Sequence, residues 1–377
     1  MKKPLIFWCG SILNYEGLKH YIGESAAATQ WSYGLLSALS ANNVDIKTYA
    51  PIWDSAFPKG KLFPGKSAYL EQSFDQTLVR YLNLPWIRPK SIALSLEKAI
   101  ESELRKGTRP IAILNYNPLS YYSEALDKIS RKYPDIPWVN IVLDLNDPTA
   151  DNWATFLQTT RRSKGSVFLS WWGYCNAPLE NKLHLDAGWS GTLPNTSKSA
   201  EKVFIYAGKL EEYGGINQLL EAIKVLPDKD VFFDFYGKRS NAALDKLAAE
   251  DSRVRFHGFV PDEQLDEACS KATAFLNPRD LSHHTNNMIF PSKLLFYIKY
   301  RKPILGPTMP GISPEYNSLL IQPTDSSPES WVNAIQKTIR LTEKETKKIA
   351  AECTKILQRK TWDSQATSLM KFLETIQ

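Results

Sequence analysis

The chain has 377 residues, 43% apolar and 23% charged, with 46 Lys and Arg against 40 Asp and Glu for a formal net charge of +6. That length suits two domains better than one core. The mild, dilute positive excess does not imply nucleic acid, the last of the readings, and it suits anionic small molecules or an anionic membrane surface.

The N-terminal run MKKPLIFWCG is too short for a signal peptide and reads as a first strand. Further strands are predicted over 45–49, 111–116, 138–143 and 167–170, with helices over 26–42, 91–105 and 120–133 between them. The second half predicts strands over 203–206, 231–236, 254–257, 274–276 and 304–305. Its helices are predicted over 216–225, 242–250, 262–271, 292–300 and 328–338, and an amphipathic helix follows over 362–376. Such alternation means an α/β chain of two Rossmann-like parallel-sheet domains. The small, polar stretch GTLPNTSKSA (191–200) marks the boundary, giving domains over 1–192 and 193–357 and a final helical segment over 358–377. No apolar run approaches the roughly 18 residues of a spanning helix. The four cysteines, Cys9, Cys175, Cys269 and Cys353, lie far apart without a CxxC pair, which points to reduced thiols in a cytoplasmic compartment.

Ligands of open α/β sheets bind beyond the carboxyl ends of the strands. Four successive second-half strands end in Gly208-Lys209, Gly237-Lys238-Arg239, Gly258-Phe259-Val260 and Asn277-Pro278-Arg279. A polar loop then leads to Phe290-Pro291-Ser292-Lys293, a predicted helix start whose free amides and lysine suit phosphate or diphosphate. Any one of these is ordinary after a strand; together they predict an anion-binding crevice. In the first half, Gly10-Ser11 opens a loop ending at Gly23-Glu24-Ser25, either a second ligand-facing helix start or a plain capped helix. Asn115-Tyr116-Asn117-Pro118 and Asp144-Leu145-Asn146-Asp147 put Asn117, Asp144 and Asp147 where an acceptor would lie, or are simple turns.

No metal site is predicted. Asp228-Lys229-Asp230 precedes its strand, at the wrong edge of the sheet, and His283-His284 lack the helical spacing of a ligand pair. His284 is instead a candidate to touch a donor sugar. KGKLFPGK (59–66) and LVRYLNLPWIRPK (78–90) interleave cations with aromatics, reading either as peripheral contact with anionic lipid or as a solvated insertion. Residues 342–360 read as a charged surface helix.

VFIYAGKLEEYGGINQLLEAI (203–223), RVRFHGFVPDEQLDEACSKATAFLNPR (253–279) and FPSKLLFYIKYRKPILGPTMPGISPEY (290–316) resemble successive blocks of family-four retaining glycosyltransferases, the group 1 enzymes of polysaccharide assembly. KTWDSQATSLMKFL (360–373) resembles their closing helix, which in that family returns to the first domain. The resemblance implies a GT-B architecture, an N-terminal acceptor domain and a C-terminal nucleotide-sugar domain facing a cleft. It implies a UDP- or GDP-linked donor, no cofactor or metal, and a saccharide or lipid-linked acceptor. The cysteines place the chain in the cytoplasm, and the segments 59–66 and 78–90 leave peripheral contact at the inner membrane face open beside a solvated insertion. By position Lys209 matches that family's diphosphate-neutralising basic residue and Lys293 lies on its matching helix start; Arg279, at a strand end, joins them as a catalytic candidate. Gly23, Glu24, Ser25, Gly258, Phe259, Val260 and Ser292 match its donor-side positions, and Gly208, Gly237, Lys238, Asn277 and His284 are donor-side candidates from their places at strand ends and in the polar loop. Retention in that family is described as same-face attack, which needs no protein nucleophile.

The pattern has departures. The family's paired glutamates are missing, and Phe296 stands where the ribose-binding one belongs. Tyr213 replaces a second lysine, and Asn115 to Asn117 replace a histidine. These changes raise an alternative, a weak or inactive relative acting as a binding or scaffolding subunit. A two-domain hydrolase or epimerase is a more distant one.

Overall fold

The computed structural model describes residues 3–21, 24–143, 154, 156–158, 160–197, 199–210, 214–237, 240–282 and 289–376. The chain forms two compact units, 1–188 with 361–377 and 189–360.

Among the described residues, the first unit holds a seven-stranded sheet: β1 (Leu5–Cys9), β2 (Asp45–Ala50), β3 (Asp75–Leu78), β4 (Ala112–Tyr116), β5 (Trp138–Val142), β6 (Gly165–Phe168) and β7 (Lys182–His184). Their spatial order is β3-β2-β1-β4-β5-β6-β7, and every pairing is parallel. Alternation along β1 sends Ile6 and Trp8 to one core and Phe7 and Cys9 to the other. The Phe7 face packs under the helices Arg88–Arg105 and Ser120–Lys132. The Ile6 face packs under the helices Ala26–Ala41 and Trp362–Thr375.

The last of these helices is held by close approach. A Cβ at Gly34 would lie 2.2 Å from the Trp362 indole and one at Gly188 2.4 Å from it, so only glycines fit on either side. The Trp31 ring meets Trp362 edge-on at 5.9 Å. Gln365 Nε2 donates to the Ala187 carbonyl at 2.6 Å, and Asn42 Nδ2 donates to Asp363 Oδ1 at 3.0 Å.

The second unit holds β8 (Lys202–Ala207), β9 (Val231–Tyr236), β10 (Val254–Gly258), β11 (Ala274–Leu276), β12 (Ile304–Leu305) and β13 (Leu320–Ile321) among its described residues. They pair in the order β10-β9-β8-β11-β12-β13, all parallel. The helices Ile216–Val225 and Pro328–Ile339 cover one face over a core that includes Phe204, Phe233, Leu276 and Trp331. Both sheets are of the doubly wound kind, with parallel strands buried on both faces.

Three strands fall outside the sequence expectation. β3 and β7 are three- or four-residue edge strands, partly wet along their length, and β13 has two residues. Strand β6 ends two residues earlier than expected because Ser170 turns the chain. Its hydroxyl accepts from Gly173 N at 3.3 Å, capping a helix Trp171–Asn176 that the apolar pattern did not announce. The helix at 88 starts three residues early, since Pro89 is tolerated in a first turn.

Candidate functional site

In the second sheet the winding reverses between β8 and β11, the neighbours on either side of the switch point. All strands being parallel, the residues after each one collect along one edge. The switch therefore lies where Gly208-Lys209 follows β8 and Asn277-Pro278-Arg279 follows β11.

Gly208 has φ +145°, a conformation L side chains rarely adopt. A Cβ there would come 3.1 Å from Lys293 Nζ, and one at Gly237 would strike the Gly208 carbonyl oxygen at 2.4 Å. The ends of β8 and β9 thus approach closely around a bare backbone. The Tyr206 hydroxyl donates to the Lys209 carbonyl, fixing the turn. Lys209 itself is exposed.

Lys293 arrives from the helix Lys293–Ile298, which Tyr297 clamps to β8. The Tyr297 hydroxyl accepts from Ala207 N at 2.9 Å and donates to Ala207 O at 3.2 Å, while its ring stacks on Phe275 at 4.5 Å. Lys293 Nζ consequently sits 3.9 Å from the Tyr206 ring centroid, at the switch point. Burial raises the Tyr297 phenol well above its ordinary value, opposed by the Ala207 hydrogen bond and, more weakly, by the positive charge of Arg279. Arg279 is half-buried. Its backbone presses on the start of the helix Ile216–Val225, where a Cβ at Gly215 would lie 2.7 Å from it.

Asn277 is fully buried, and among the described residues neither its Oδ1 nor its Nδ2 has a hydrogen-bond partner. A buried amide left this way costs about 1–3 kcal/mol. Such groups mark places where a ligand or water completes the pairing.

The other donor-side candidates spread along the same edge. Gly258 ends β10 at φ +70°, and Phe259 beyond it is 69% exposed. Beside them Tyr236 and His257 stack at 4.7 Å. Asp234 accepts from Arg255 Nε at 2.6 Å and lies 3.2 Å from His257 Nε2. Burial pushes the Asp234 carboxyl up, but the bonds from His257 and Arg255 prevail and hold it below its usual value. Ser292 is exposed and helical, and it makes no capping bond.

On the first sheet's carboxyl edge, Glu24 accepts from Trp53 N at 2.8 Å and from Ser11 Oγ at 3.2 Å, and burial raises its carboxyl. Ser25 caps its helix through Ala28 N at 3.3 Å. Asn117 sits at φ +55° and serves its own turn, its Oδ1 accepting from Leu143 N at 3.4 Å. Asn115 is buried and donates to Asn140. Gly23, Asp144, Asp147, Lys238 and His284 lie outside the described residues.

Asp228 and Asp230 stand at the amino edge of β9, bonded to Gln336 and Lys202 respectively. Among the described residues, no three His, Cys, Asp or Glu side chains converge as a metal-ligand set. Phe296 lies against Tyr300, with Lys299 Nζ 4.5 Å from its ring. The carboxylate near this group, Asp266, is held by Lys299 at 2.9 Å and by the Tyr300 hydroxyl.

Sequence reasoning missed the Tyr206 and Tyr297 clamps and the pressing of Gly215 on Arg279. Tyr297 stands one helical turn from Lys293, the one signal that ties them.

Comparison with known proteins agrees with this layout. The family model for glycosyl transferases group 1 matches residues 201–340. Among solved structures, sucrose-phosphate synthase from Thermosynechococcus elongatus is 13% identical, covers 99% of both chains and gives a TM-score of 0.66. Anabaena Alr3699/HepE, solved with UDP and glucose, is 13% identical, covers 99% of this chain and 100% of its own, and gives 0.65. The lipopolysaccharide outer core galactosyltransferase WaaB is 13% identical over 98% of this chain and 99% of its own, at 0.64. The fold is the two-domain GT-B fold. No curated protein sequence matches the chain.

Proposed function

We propose that this chain is a glycosyltransferase taking a sugar from a nucleotide-sugar, with retention and without a metal, onto a saccharide or lipid-linked acceptor. The observation that carries this reading is the buried, unpartnered Asn277 amide at the switch point where Lys293 meets the glycine turn of Lys209. The match of residues 201–340 and the UDP bound in the Anabaena relative support it.

In this reading the diphosphate oxygens accept from Lys293, Lys209 and Arg279, and Asn277 pairs with the donor. As the glycosidic bond to phosphate breaks, negative charge grows on the leaving oxygen, and these fixed cations stabilise it. They take the role that a divalent ion plays elsewhere. The acceptor hydroxyl attacks the same face, and the departing phosphate oxygen takes its proton. Phe259 and the Tyr236–His257 stack offer flat surfaces to a base. Glu24, Ser25 and Asn117 gather at the carboxyl edge of the first unit's own sheet, the edge at which open α/β sheets take ligands.

The test is calorimetric titration with UDP- and GDP-sugars, with Lys293→Ala beside the parent. Loss of a charge-assisted contact predicts binding weaker by roughly 10- to 100-fold. Equal binding by both proteins refutes the site. A second reading, a binding subunit without turnover, is favoured by the aromatic packing of Phe296 where a ribose carboxylate is expected. It predicts nucleotide binding with no donor hydrolysis.

A further inference from the structure

A cavity lies at the amino edge of the second unit's sheet, opposite the proposed nucleotide site. Lys209 and Arg279 follow their strands, whereas Arg301 stands just ahead of β12 and the segment 194–197 ahead of β8. Asn195, Thr196, Arg301, Ala350, Ala351 and Thr354, all of the second unit, line a volume of about 630 Å³. That falls within the roughly 300–1,000 Å³ of small-molecule sites.

Arg301 turns the chain out of the helix Lys293–Ile298 at φ +55°, where glycine or asparagine is usual. Backbone strain of this kind clusters where a side chain has a use. Its Nη2 donates to the Pro194 carbonyl at 2.5 Å, and Lys302 Nζ donates to the Ser197 carbonyl at 3.0 Å, so this wall is preorganised. Among the described residues, Nε and Nη1 of Arg301 make no hydrogen bond, and no carboxylate pairs with its charge.

The facing wall is the helix Glu343–Arg359. Lys347, Lys348 and Lys355 are exposed around it, but Ala350, Ala351 and Thr354 at the cavity are short, so the space stays open. Burial pushes the Cys353 thiol of this helix up to about 12, opposed by the positive charge of Arg301, so the guanidinium stands close to the helix.

Among the described residues, neither a carboxylate nor an aromatic ring lines the cavity. A guanidinium fork with an arm to spare matches a phosphate. The side chains of Asn195 and Thr196 make no bond within the described residues. The Thr354 hydroxyl donates to the Ala350 carbonyl at 2.9 Å, which leaves its oxygen to accept. These groups suit a hydroxylated body, and a nucleobase would find no ring to stack on.

We infer that this cavity binds a phosphorylated sugar, with the phosphate on Arg301 and the sugar hydroxyls on Asn195, Thr196 and Thr354. The inference stands apart from the sugar-transfer reading, since none of these side chains belongs to the proposed nucleotide site.

The experiment is calorimetric titration of the full chain with glucose 6-phosphate, glucose and inorganic phosphate. Three variants accompany the parent. Arg301→Gly removes the fork while suiting the positive φ, Ala350→Leu fills the cavity and leaves Arg301 in place, and Lys293→Ala disables the switch point instead. The parent is expected to bind glucose 6-phosphate more tightly than either glucose or phosphate. Arg301→Gly weakens that binding by roughly 10- to 100-fold, as loss of a charge-assisted contact does. Ala350→Leu weakens it by exclusion, and Lys293→Ala leaves it as it was. Melting curves show that each variant folds, and Ala350→Leu decides the matter alone should Arg301→Gly not fold. No binding of glucose 6-phosphate by the parent, glucose or phosphate bound as tightly, undiminished binding by Ala350→Leu or by folded Arg301→Gly, or loss of binding in Lys293→Ala would overturn the inference.

Discussion

Replacing Asn277 by leucine separates stability from function in opposite directions. The two side chains are nearly isosteric, so the change fills the same space and removes an amide that neither donates nor accepts. The site is fully buried, and the penalty removed is about 1–3 kcal/mol. For a domain of this size one kcal/mol moves Tm by about 2–4 °C. The free protein is therefore expected to melt roughly 2–12 °C higher. In the same thermal-shift assay, the upward shift given by the donor nucleotide should shrink or vanish, because the group that the ligand satisfied is gone. A melting temperature that falls would mean the amide is already paired in the free protein. A ligand shift that survives intact would remove Asn277 from the donor contacts. Either result refutes the reasoning.

Gly215→Ala should be severe, because the added carbon meets three backbone atoms of Arg279 within 2.9 Å and the residue has φ +73°. Positive φ alone costs about 1–2 kcal/mol, so chemical denaturation should show at least that loss. For Asp234, the folded carboxyl lies below its ordinary value, so its ionised form stabilises the fold above that value. That stabilisation is lost as pH falls through the folded value, and Asp234→Asn should flatten the acid limb of a stability–pH curve. Trp362→Ala empties the slot between Gly34 and Gly188, with a destabilisation of about 3 kcal/mol expected in urea titrations.

The strands that could be read from the chain are the buried ones. β9, β11 and β12 stand over the residues their apolar runs marked, since parallel strands covered on both faces leave a continuous hydrophobic signal. DQTL at β3 and KLH at β7 carry no such signal, because an edge strand buries little and takes its order from its neighbour. At the site, the glycine and cation after each strand were legible because they follow a local rule. The Tyr297 clamp was not, since its partner Ala207 lies 90 residues away. Nor could periodicity reveal that Asn277 would be sealed in without a partner, a property of packing alone.

The first unit's construction bears on how the protein comes off the ribosome. The groove of the helix Ala26–Ala41 that receives Trp362 is translated early, and its filler is encoded beyond the whole second unit. Throughout elongation of 189–360, nascent Trp31, Leu35 and Leu39 lack the leucines of 369 and 373 that later cover them. Until 362–375 is made, that apolar seam stays uncovered, and a chain halted before then cannot close it.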